Sequence, residues 1–296
     1  MVKILICICT NNKEKLIFTL QSIFNLRLNK KIKIEIIIVE NLKKTQIKRY
    51  IKKVQKTKST KIYHYLHSKL GIPFARNRCL KEAKKKKSDY ICFVDDDSKL
   101  PSSWITKNLK VFDNFKDCSI ISGPQKLSKF NIYQTLLEPD FKNLSKISWC
   151  ATNNVIFKSN IIKNKKLLFD SRLNNIGGSD QLFFKKLGIQ KYEIRWNKKN
   201  YVVEKYQNSR NNLKWFLSRN FRYASSSVLI DRYCFGFLKG FGISIIKSIV
   251  YLSLSFIFVI MMPLNFKVNF LKFLKNLIRS FSILGGLFNI YPKNYI

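Results

Sequence analysis

Five apolar residues in a row, Tyr90–Val94, end abruptly in three adjacent carboxylates, Asp95, Asp96 and Asp97. An apolar run of this length between polar residues is typical of a strand buried on both faces in a parallel sheet. Three neighbouring acids repel one another, so a cation or a set of hydrogen-bond donors must keep them together. Ligands of open α/β sheets bind beyond the carboxyl ends of the strands. The stretch therefore predicts a cation-binding site at the mouth of a sheet, with a solvated acidic turn as the alternative.

Strands and helices alternate along the first half of the chain. Apolar runs at residues 2–9 and 34–39 predict two further buried strands, and polar residues stop them at Thr10 and Glu40. Runs of this kind separated by helix-length segments indicate a mostly parallel sheet built from βαβ units. Because the carboxyl ends of parallel strands share an edge, we expect Thr10, Glu40 and the three aspartates to lie together. Such an edge is a site for a nucleotide.

The second half of the chain is less regular. Residues 149–157 are strand-like, and residues 195–204 suggest a closing hairpin. A pair of glycines precedes a helix that is expected to begin at Ser179, a natural N-cap, with Asp180 in its first turn. On this local pattern alone, Asp180 is explained equally well as an acid that stabilises the start of a helix.

The chain is strongly basic, with 56 lysines and arginines against 17 acidic residues and a formal net charge of +39. Nucleic acid and an anionic membrane surface would both be attracted to such a protein. A bias toward Lys, Asn and Ile along the whole chain explains much of the charge without any partner. No segment resembles a nucleic-acid-binding module, and the aromatic residues fall in apolar runs. We therefore do not expect nucleic acid as a partner, and a basic nucleic-acid-binding protein is only an alternative.

The seven cysteines include no C-x-x-C pair, which argues against a zinc site. Several of them lie within or beside apolar runs, so buried thiols in a reducing compartment are expected. The apolar run at the N-terminus is too short for a signal peptide and gives way at once to polar residues. We therefore expect the main domain to lie in the cytoplasm.

A long uncharged segment near the C-terminus reaches the length of a membrane span. It covers residues 248–266 and is flanked on both sides by basic residues, so a single crossing would oppose the positive-inside tendency. Residues 268–278 predict an amphipathic basic helix suited to anionic headgroups. We expect a peripheral or monotopic attachment to the cytoplasmic face of the plasma (inner) membrane, and a buried core helix is the alternative.

Several stretches, taken in order, resemble the family 2 glycosyltransferases with the GT-A fold. They are Thr10-Asn11-Asn12, IIIVEN at 36–41, GIPFARN at 71–77, the D-x-D motif that ends at Asp97, CATNNVIFKS at 150–159 and FDSRLNNIGGSDQLFF at 169–184. The family more often has Asp where this chain has Glu40, and it usually has Glu where Ser179 stands. The resemblance covers residues 2–230.

The resemblance implies an α/β GT-A (nucleotide-diphospho-sugar transferase) domain over residues 1–230 with a mostly parallel central sheet. A hydrophobic, membrane-associated helical tail would occupy residues 231–296. The implied activity is that of a bacterial polysaccharide-biosynthesis enzyme, an inverting hexosyltransferase that depends on a divalent metal. It would move a sugar from a nucleotide-diphospho-sugar, a UDP-sugar by resemblance, to a hydroxyl of a lipid-linked or cell-surface glycan. A nucleotidyltransferase is the alternative enzyme, but the loop TNNKEK lacks the glycines of a phosphate-binding loop.

The resemblance also assigns residues to the donor. Asp97 is expected to bind Mg²⁺ or Mn²⁺, which hard carboxylate oxygens suit, and Asp95 to bind the metal or the ribose. Arg76 and Glu40 are expected to contact the base and the ribose. The full nucleotide-sugar-binding set is Thr10, Asn11, Glu40, Arg76, Asn77, Asp95 and Asp96.

Inverting transfer needs one base that takes the proton of the acceptor hydroxyl. Asp180 is the candidate, provided that the Gly-Gly loop brings it over the sugar. Trp149 and Asn154 are candidates for the acceptor or sugar subsite, although a packed tryptophan is the commoner situation.

Overall fold

The described chain contains two sheets and a set of helices that are longest near the C-terminus. The computed structural model describes residues 1–163 and 167–292. In chain order the strands are β1 (Val2–Thr10), β2 (Ile32–Glu40), β3 (Lys61–Leu66), β4 (Tyr90–Val94), β5 (Ser98–Lys99), β6 (Cys118–Ser122), β7 (Gln125–Leu127), β8 (Lys146–Ile147), β9 (Asn154–Lys158), β10 (Glu193–Trp196) and β11 (Val202–Glu204). The helices are α1 (Lys13–Phe24), α2 (Lys48–Thr57), α3 (Ile72–Lys85), α4 (Trp104–Asn114), α5 (Ile132–Thr135), α6 (Ser179–Ile189), α7 (Leu213–Phe235), α8 (Phe237–Ile260) and α9 (Phe266–Leu287).

The central sheet has the strand order β3-β2-β1-β4-β9-β6-β10-β8. Strands β3, β2, β1 and β4 are parallel to one another, as the βαβ pattern predicts. Strand β9 is antiparallel to β4 and β6, and β8 is antiparallel to β10. The sheet is therefore mostly parallel, and its first four strands carry the predicted edge.

Helices cover both faces of this sheet, which explains why β1 reads as a continuous apolar run. Ile6 and its same-face neighbours pack with Leu16 of α1 and Trp104 of α4 in one core. Cys7, on the opposite face, packs with Leu80 of α3 and Phe184 of α6 in another. A strand buried on both faces has no polar side to alternate with.

The carboxyl ends of β2, β1 and β4 lie side by side. Thr10 pairs with Glu40 in the register of β1 and β2, and Cys7 pairs with Phe93 in the register of β1 and β4. Asp95 follows the last residue of β4. The prediction that Thr10, Glu40 and the aspartates share one edge is confirmed.

The prediction of a closing hairpin over residues 195–204 is wrong. Strand β10 belongs to the central sheet, whereas β11 lies in a smaller sheet of order β5-β11-β7. There β11 is antiparallel to β5 and parallel to β7, so both of its partners are distant in sequence. The small sheet places Glu204 opposite Ser98, directly after the three aspartates.

The chain divides into two compact units. The first comprises Met1–Lys129, Pro139–Ser171 and Phe183–Tyr206, and the second comprises Phe130–Glu138, Arg172–Leu182 and Gln207–Ile296. Both sheets lie in the first unit. In the second unit α7, α8 and α9 pack on one another. The boundary at residue 230 stays a prediction about domains, but these units group all of α7 with α8 and α9.

The uncharged C-terminal segment runs along α8, through a short turn, to the first residue of α9. Helix α8 begins before it, at Phe237, and ends at Ile260. A short turn containing Pro263 follows, and Asn265 caps α9 by accepting a hydrogen bond from Val268 N at 3.2 Å. Because Pro cannot continue a helix, the apolar run turns back into the basic helix that follows it. The predicted basic helix is present within α9.

Candidate active site

The three aspartates lie on a turn that is hydrogen-bonded to helix α1. Thr19 Oγ1 donates a hydrogen bond to Asp95 O at 3.3 Å and accepts one from Ser98 N at 3.0 Å. Ser22 Oγ accepts a hydrogen bond from Leu100 N at 3.1 Å. Sequence reasoning missed both hydroxyl residues. Two hydroxyls on the otherwise apolar face of a helix are the pattern that could have identified them.

Two of the aspartate side chains have close partners from β1 and α1. Thr10 Oγ1 donates to Asp96 Oδ2 at 2.6 Å. Lys15 Nζ lies 3.2 Å from Asp97 Oδ2. Thr10, expected at the nucleotide, thus also fixes the orientation of Asp96, and Lys15 joins the site although the sequence reading did not single it out.

The acid cluster holds more negative charge than its neighbours offset. Burial raises the pKa of Asp95 to about 7, with Asp97, Asp96 and Glu204 adding to the rise and the Arg76 guanidinium opposing it. Burial likewise raises the pKa of Asp96 to about 6, against the Thr10 hydrogen bond. Burial and the neighbouring acids oppose ionisation of these carboxylates. A bound cation would stabilise their charged form.

The donor set fits a divalent cation that takes part of its coordination from elsewhere. Across residues 1–163 and 167–292, no three His, Cys, Asp or Glu side chains are grouped to hold a metal ion. Asp95 and Asp97 provide two carboxylates, while Asp96 Oδ2 is engaged by Thr10. Mg²⁺ and Mn²⁺ are commonly held by one or two carboxylates together with substrate phosphates and water.

Arg76 and Glu204 lie at the margins of the acid cluster. Arg76, on α3, is close enough to Asp95 to oppose the rise of its pKa, and its guanidinium lies 5.6 Å from the centre of the Phe169 ring. Glu204 is buried, and Lys205 N donates to Asp97 O at 3.1 Å. The structure therefore brings Arg76 to the acids and adds Glu204 from the small sheet, while the contact of Arg76 with a base or ribose stays a prediction.

Glu40 is fully buried and has three hydrogen-bond partners within the protein. Thr45 Oγ1 donates to its Oε2 at 2.6 Å, Gln46 N to its Oε1 at 2.5 Å, and His64 Nε2 lies 2.9 Å from Oε2. These bonds give Glu40 a structural role, because they hold the segment that follows β2. A contact between Glu40 and a base or ribose remains a prediction.

Asn77 and Asn11 differ in their surroundings. Asn77 Oδ1 accepts from Phe169 N and its Nδ2 donates to Phe169 O, both at 2.8 Å, so the side chain clamps a distant backbone segment. Asn11 is exposed at the start of α1. Asn11 is thus available to a ligand from solvent, whereas the Asn77 amide is engaged by the protein.

Asn154 is buried and uses its amide on neighbouring backbone and indole groups. Its Oδ1 accepts from Trp104 Nε1 at 2.9 Å, and its Nδ2 donates to Pro124 O and Asn200 O, each at 3.0 Å. Trp149 is half-buried. The structure gives Asn154 a clear structural function, and the acceptor role expected for the two residues remains untested.

Asp180 belongs to the second unit, in the first turn of α6. Gly177 and Gly178 before it have φ values of +93° and +83°, which L side chains rarely adopt. A Cβ on Gly178 would lie 2.9 Å from Ile230 Cδ1, so a larger residue there would also displace that methyl group. Asp180 Oδ1 accepts from Gln181 N at 2.9 Å, and the residue is half-buried. The helix start predicted at Ser179 is confirmed.

A family model described as Glycosyl transferase family 2 matches residues 4–177, more than half of the chain. Succinoglycan biosynthesis protein ExoM of Rhizobium meliloti (strain 1021) is 22% identical over 226 residues, which are 73% of this chain and 71% of that protein. The sequence comparisons therefore agree with the family that the motifs resemble.

Two solved structures illustrate the similarity of fold. TarS 1–349 of S. aureus has a TM-score of 0.56 and 16% identity, over 78% of this chain and 64% of that one, so this chain spans less than two thirds of it. The mannosyltransferase PcManGT from Pyrobaculum calidifontis, in complex with GDP-Man and Mn²⁺, has a TM-score of 0.58 and 12% identity, over 98% of this chain and 76% of that one. The fold is therefore the α/β fold of GT-A glycosyltransferases, with a mostly parallel central sheet and an apolar helix near the C-terminus.

Proposed function

Since the chain belongs to glycosyl transferase family 2 and is a glycosyltransferase, we propose that it transfers a sugar with inversion from a nucleotide-diphospho-sugar to a glycan hydroxyl. The observation that carries this proposal is the acid cluster at the carboxyl ends of the parallel strands. Asp95, Asp96 and Asp97 lie there beside Arg76 and Lys15. This is the position in which α/β sheets bind nucleotides.

A UDP-sugar is the first choice of donor, and a GDP-sugar is the second. A TarS structure contains UDP-GlcNAc, and the PcManGT structure contains GDP-Man and Mn²⁺. Both donors present the same diphosphate to the protein. Arg76, whose guanidinium is a rigid donor that is always charged, and Thr10 and Asn11 at the end of β1 are proposed to bind the nucleotide.

Asp95 and Asp97 are the residues that would hold Mg²⁺ or Mn²⁺. When bound, the cation supplies positive charge that stabilises the departing nucleoside diphosphate without a proton transfer. The Thr10 hydroxyl holds the Asp96 carboxylate by a hydrogen bond, and the Thr19 and Ser22 hydroxyls hold the backbone of the turn. The protein thus presents two carboxylates from a braced loop, and this rigidity preserves the geometry of the site.

Asp180 is proposed as the base that takes the proton of the acceptor hydroxyl. Its support is chemical, since inversion requires one base and Asp180 is a half-buried carboxylate at the first turn of α6. Gly177 and Gly178, which both have a positive φ, set the direction in which the chain enters α6. The acceptor is proposed to be a lipid-linked or cell-surface glycan, which the similarity to a succinoglycan biosynthesis protein supports.

The second unit is proposed to attach the enzyme to an anionic membrane. Among the described residues, α8 is the helix whose length and apolar character suffice for a membrane span. Its outward side chains are large and apolar, with Leu238 84%, Ile246 64% and Phe256 63% exposed. Its buried positions are small: Gly240, Ser244, Ser248 and Ser255.

This arrangement is the reverse of a helix on a water-soluble protein, where the apolar face is the buried one. Small residues at helix contacts with apolar residues facing outward are typical of helices surrounded by lipid. Ser248 and Ser280 join α8 to α9 through a hydrogen bond of 3.0 Å between their hydroxyls. The exposed Lys239, in the first turn of α8, and the exposed Lys267, in the first turn of α9, would meet anionic headgroups. We place the protein as peripheral or monotopic on the cytoplasmic face of the plasma (inner) membrane.

The experiment that tests the activity is a screen of UDP-sugars and GDP-sugars with Mn²⁺ or Mg²⁺, in which release of the nucleoside diphosphate is measured. We expect one donor to be consumed only when the divalent cation is present. Asp97→Ala should abolish turnover, and Asp180→Asn should lower it by at least about 100-fold while nucleotide affinity is unchanged. Asp113→Asn, an exposed aspartate on α4, is the matched control. Full activity of Asp180→Asn would dismiss the choice of base, and inertness toward every donor would dismiss the activity.

A further inference from the structure

A lysine from α1 lies against the carboxylate assigned above to the divalent cation. Lys15 Nζ is 3.2 Å from Asp97 Oδ2, and the Lys15 side chain is 38% exposed whereas that of Asp97 is 8% exposed. The backbone of Lys15 is anchored, because Lys15 N donates to Asn12 Oδ1, the N-cap of α1, at 3.0 Å. The Lys15 backbone is thus fixed, its side chain is partly exposed to solvent, and its ammonium group contacts the nearly buried Asp97 carboxylate.

The position of Lys15 conflicts with a second cation on the same carboxylate. An ammonium and a divalent cation that share Asp97 Oδ2 would repel each other, so binding of the divalent cation drives the ammonium away. The lysine side chain is a flexible four-carbon stem that ends in a compact charge, and its partial exposure leaves it space to move. The new negative charge that a donor brings to this edge of the sheet is its diphosphate.

We propose that Lys15 exchanges partners: it neutralises Asp97 when no divalent cation is bound, and it binds the donor's diphosphate once the divalent cation holds Asp97. This inference rests on the proposed function, since it takes the divalent-cation site as given and adds a diphosphate-binding residue to it. Lys15 thereby weakens binding of the bare cation and strengthens binding of the nucleotide. The two ligands consequently favour each other's binding, and their coupling depends on one side chain.

The chain offers a matched control two residues earlier. Lys13 is exposed in the same turn of α1 and carries the same charge. Comparing Lys15→Met with Lys13→Met therefore separates the loss of the Asp97 contact from the loss of one positive charge on the helix. Lys15→Arg retains the charge and should behave like the wild type in binding the bare cation.

The test measures Mn²⁺ binding to the full chain without nucleotide, from the electron paramagnetic resonance signal of free Mn²⁺. We expect Lys15→Met to bind Mn²⁺ about tenfold more tightly than the wild type, and Lys13→Met and Lys15→Arg to stay within about threefold of it. With Mn²⁺ saturating, Lys15→Met should bind the nucleoside diphosphate, UDP or GDP, about tenfold more weakly, by calorimetry. Unchanged melting temperatures would show that the variants are folded.

The outcomes separate this inference from the function on which it rests. Equal Mn²⁺ affinities for Lys15→Met and Lys13→Met overturn the exchange and leave the metal site intact. Tighter Mn²⁺ binding by Lys15→Met without weaker nucleotide binding also overturns it, because Lys15 is then only a counterion of Asp97. If none of the proteins, including the wild type, binds Mn²⁺, the proposed metal site itself is refuted together with the inference.

Discussion

At the scale of single residues, Asn154 illustrates how a polar side chain near the sheet edge can serve the fold. Its amide meets the Trp104 indole N–H and the carbonyls of Pro124 and Asn200. Asn154 is 2% exposed, and its hydrogen bonds to Trp104 and Asn200 are buried, while the one to Pro124 is partly buried. A buried donor that loses its partner bears the full cost of its lost hydration, so this network is expected to matter more for stability than for binding.

Asn154→Ala should therefore lower the free energy of unfolding by about 2–3 kcal/mol, because it removes the partner of the Trp104 indole N–H and of the Asn200 carbonyl, while Pro124 O keeps its hydrogen bond from Val202 N. Asn153→Ala is the matched control. Asn153 is half-buried and donates one hydrogen bond, to Gln125 Oε1 at 2.7 Å, so its loss should cost less than about 1.5 kcal/mol. Urea denaturation checks both values. Equal stability of the two variants would contradict the structural role of Asn154.

The acid cluster predicts a pH dependence of metal binding. Burial raises the pKa of Asp95 to about 7, so this carboxyl holds a proton below that pH and must release it to bind a cation. Mn²⁺ affinity should thus be nearly constant above pH 8 and fall about tenfold between pH 8 and pH 6. Titration of free Mn²⁺ at fixed ionic strength measures this change. An affinity that does not vary between pH 6 and pH 8 would contradict the raised pKa.

The residues of the site could be predicted from sequence where a local motif carried them. The aspartates, Thr10 and Arg76 each stand in a short stretch with a recognisable order. Thr19 and Lys15 could not be found this way, because each acts on a turn about eighty residues further along the chain. That contact exists only once α1 packs beside β5, and no spacing within the sequence indicates it.

At the scale of elements, the existence of a strand was predicted more accurately than the strands with which it pairs. The strand Tyr90–Val94 was predicted with its observed bounds. The strand β11 was wrongly joined to β10, because its hydrogen bonds go to β5 and β7, which lie far from it in sequence. Periodicity identifies a strand, but the choice of partner depends on tertiary packing.

The proposed membrane role of α8 gives a prediction at this scale. The full chain should float with vesicles that contain anionic phospholipid, and Leu238→Asp combined with Ile246→Asp should reduce the bound fraction by at least about tenfold. Both side chains are exposed and apolar, so aspartate there opposes both lipid burial and headgroup charge. Thermal unfolding should be almost unchanged, because neither side chain is in a core.

Leu70→Asp combined with Leu168→Asp is the matched control for this experiment. These leucines are 50% and 53% exposed and belong to the first unit, so the same change of chemistry is made outside α8. The control pair should bind vesicles like the wild type. Equal loss of binding by both pairs would indicate that total charge, and not α8, attaches the protein.

At the scale of the whole molecule, a net charge of +39 is combined with a candidate site that is locally acidic. The overall charge attracts anionic surfaces and anionic donors at long range, and it is screened by salt. The buried aspartates act at short range, where screening is weak. Salt should therefore weaken vesicle binding strongly, while the effect of the divalent cation on nucleotide binding should persist.

The most direct test of the central claim is the affinity for the nucleotide-sugar donor with and without Mn²⁺, measured by calorimetry on the wild type, Asp97→Asn and the control Asp113→Asn. Mn²⁺ should raise donor affinity at least about tenfold in the wild type and in Asp113→Asn, and Asp97→Asn should lose this increase. A wild-type chain whose affinity for every UDP-sugar and GDP-sugar is the same with and without Mn²⁺ or Mg²⁺ would contradict it.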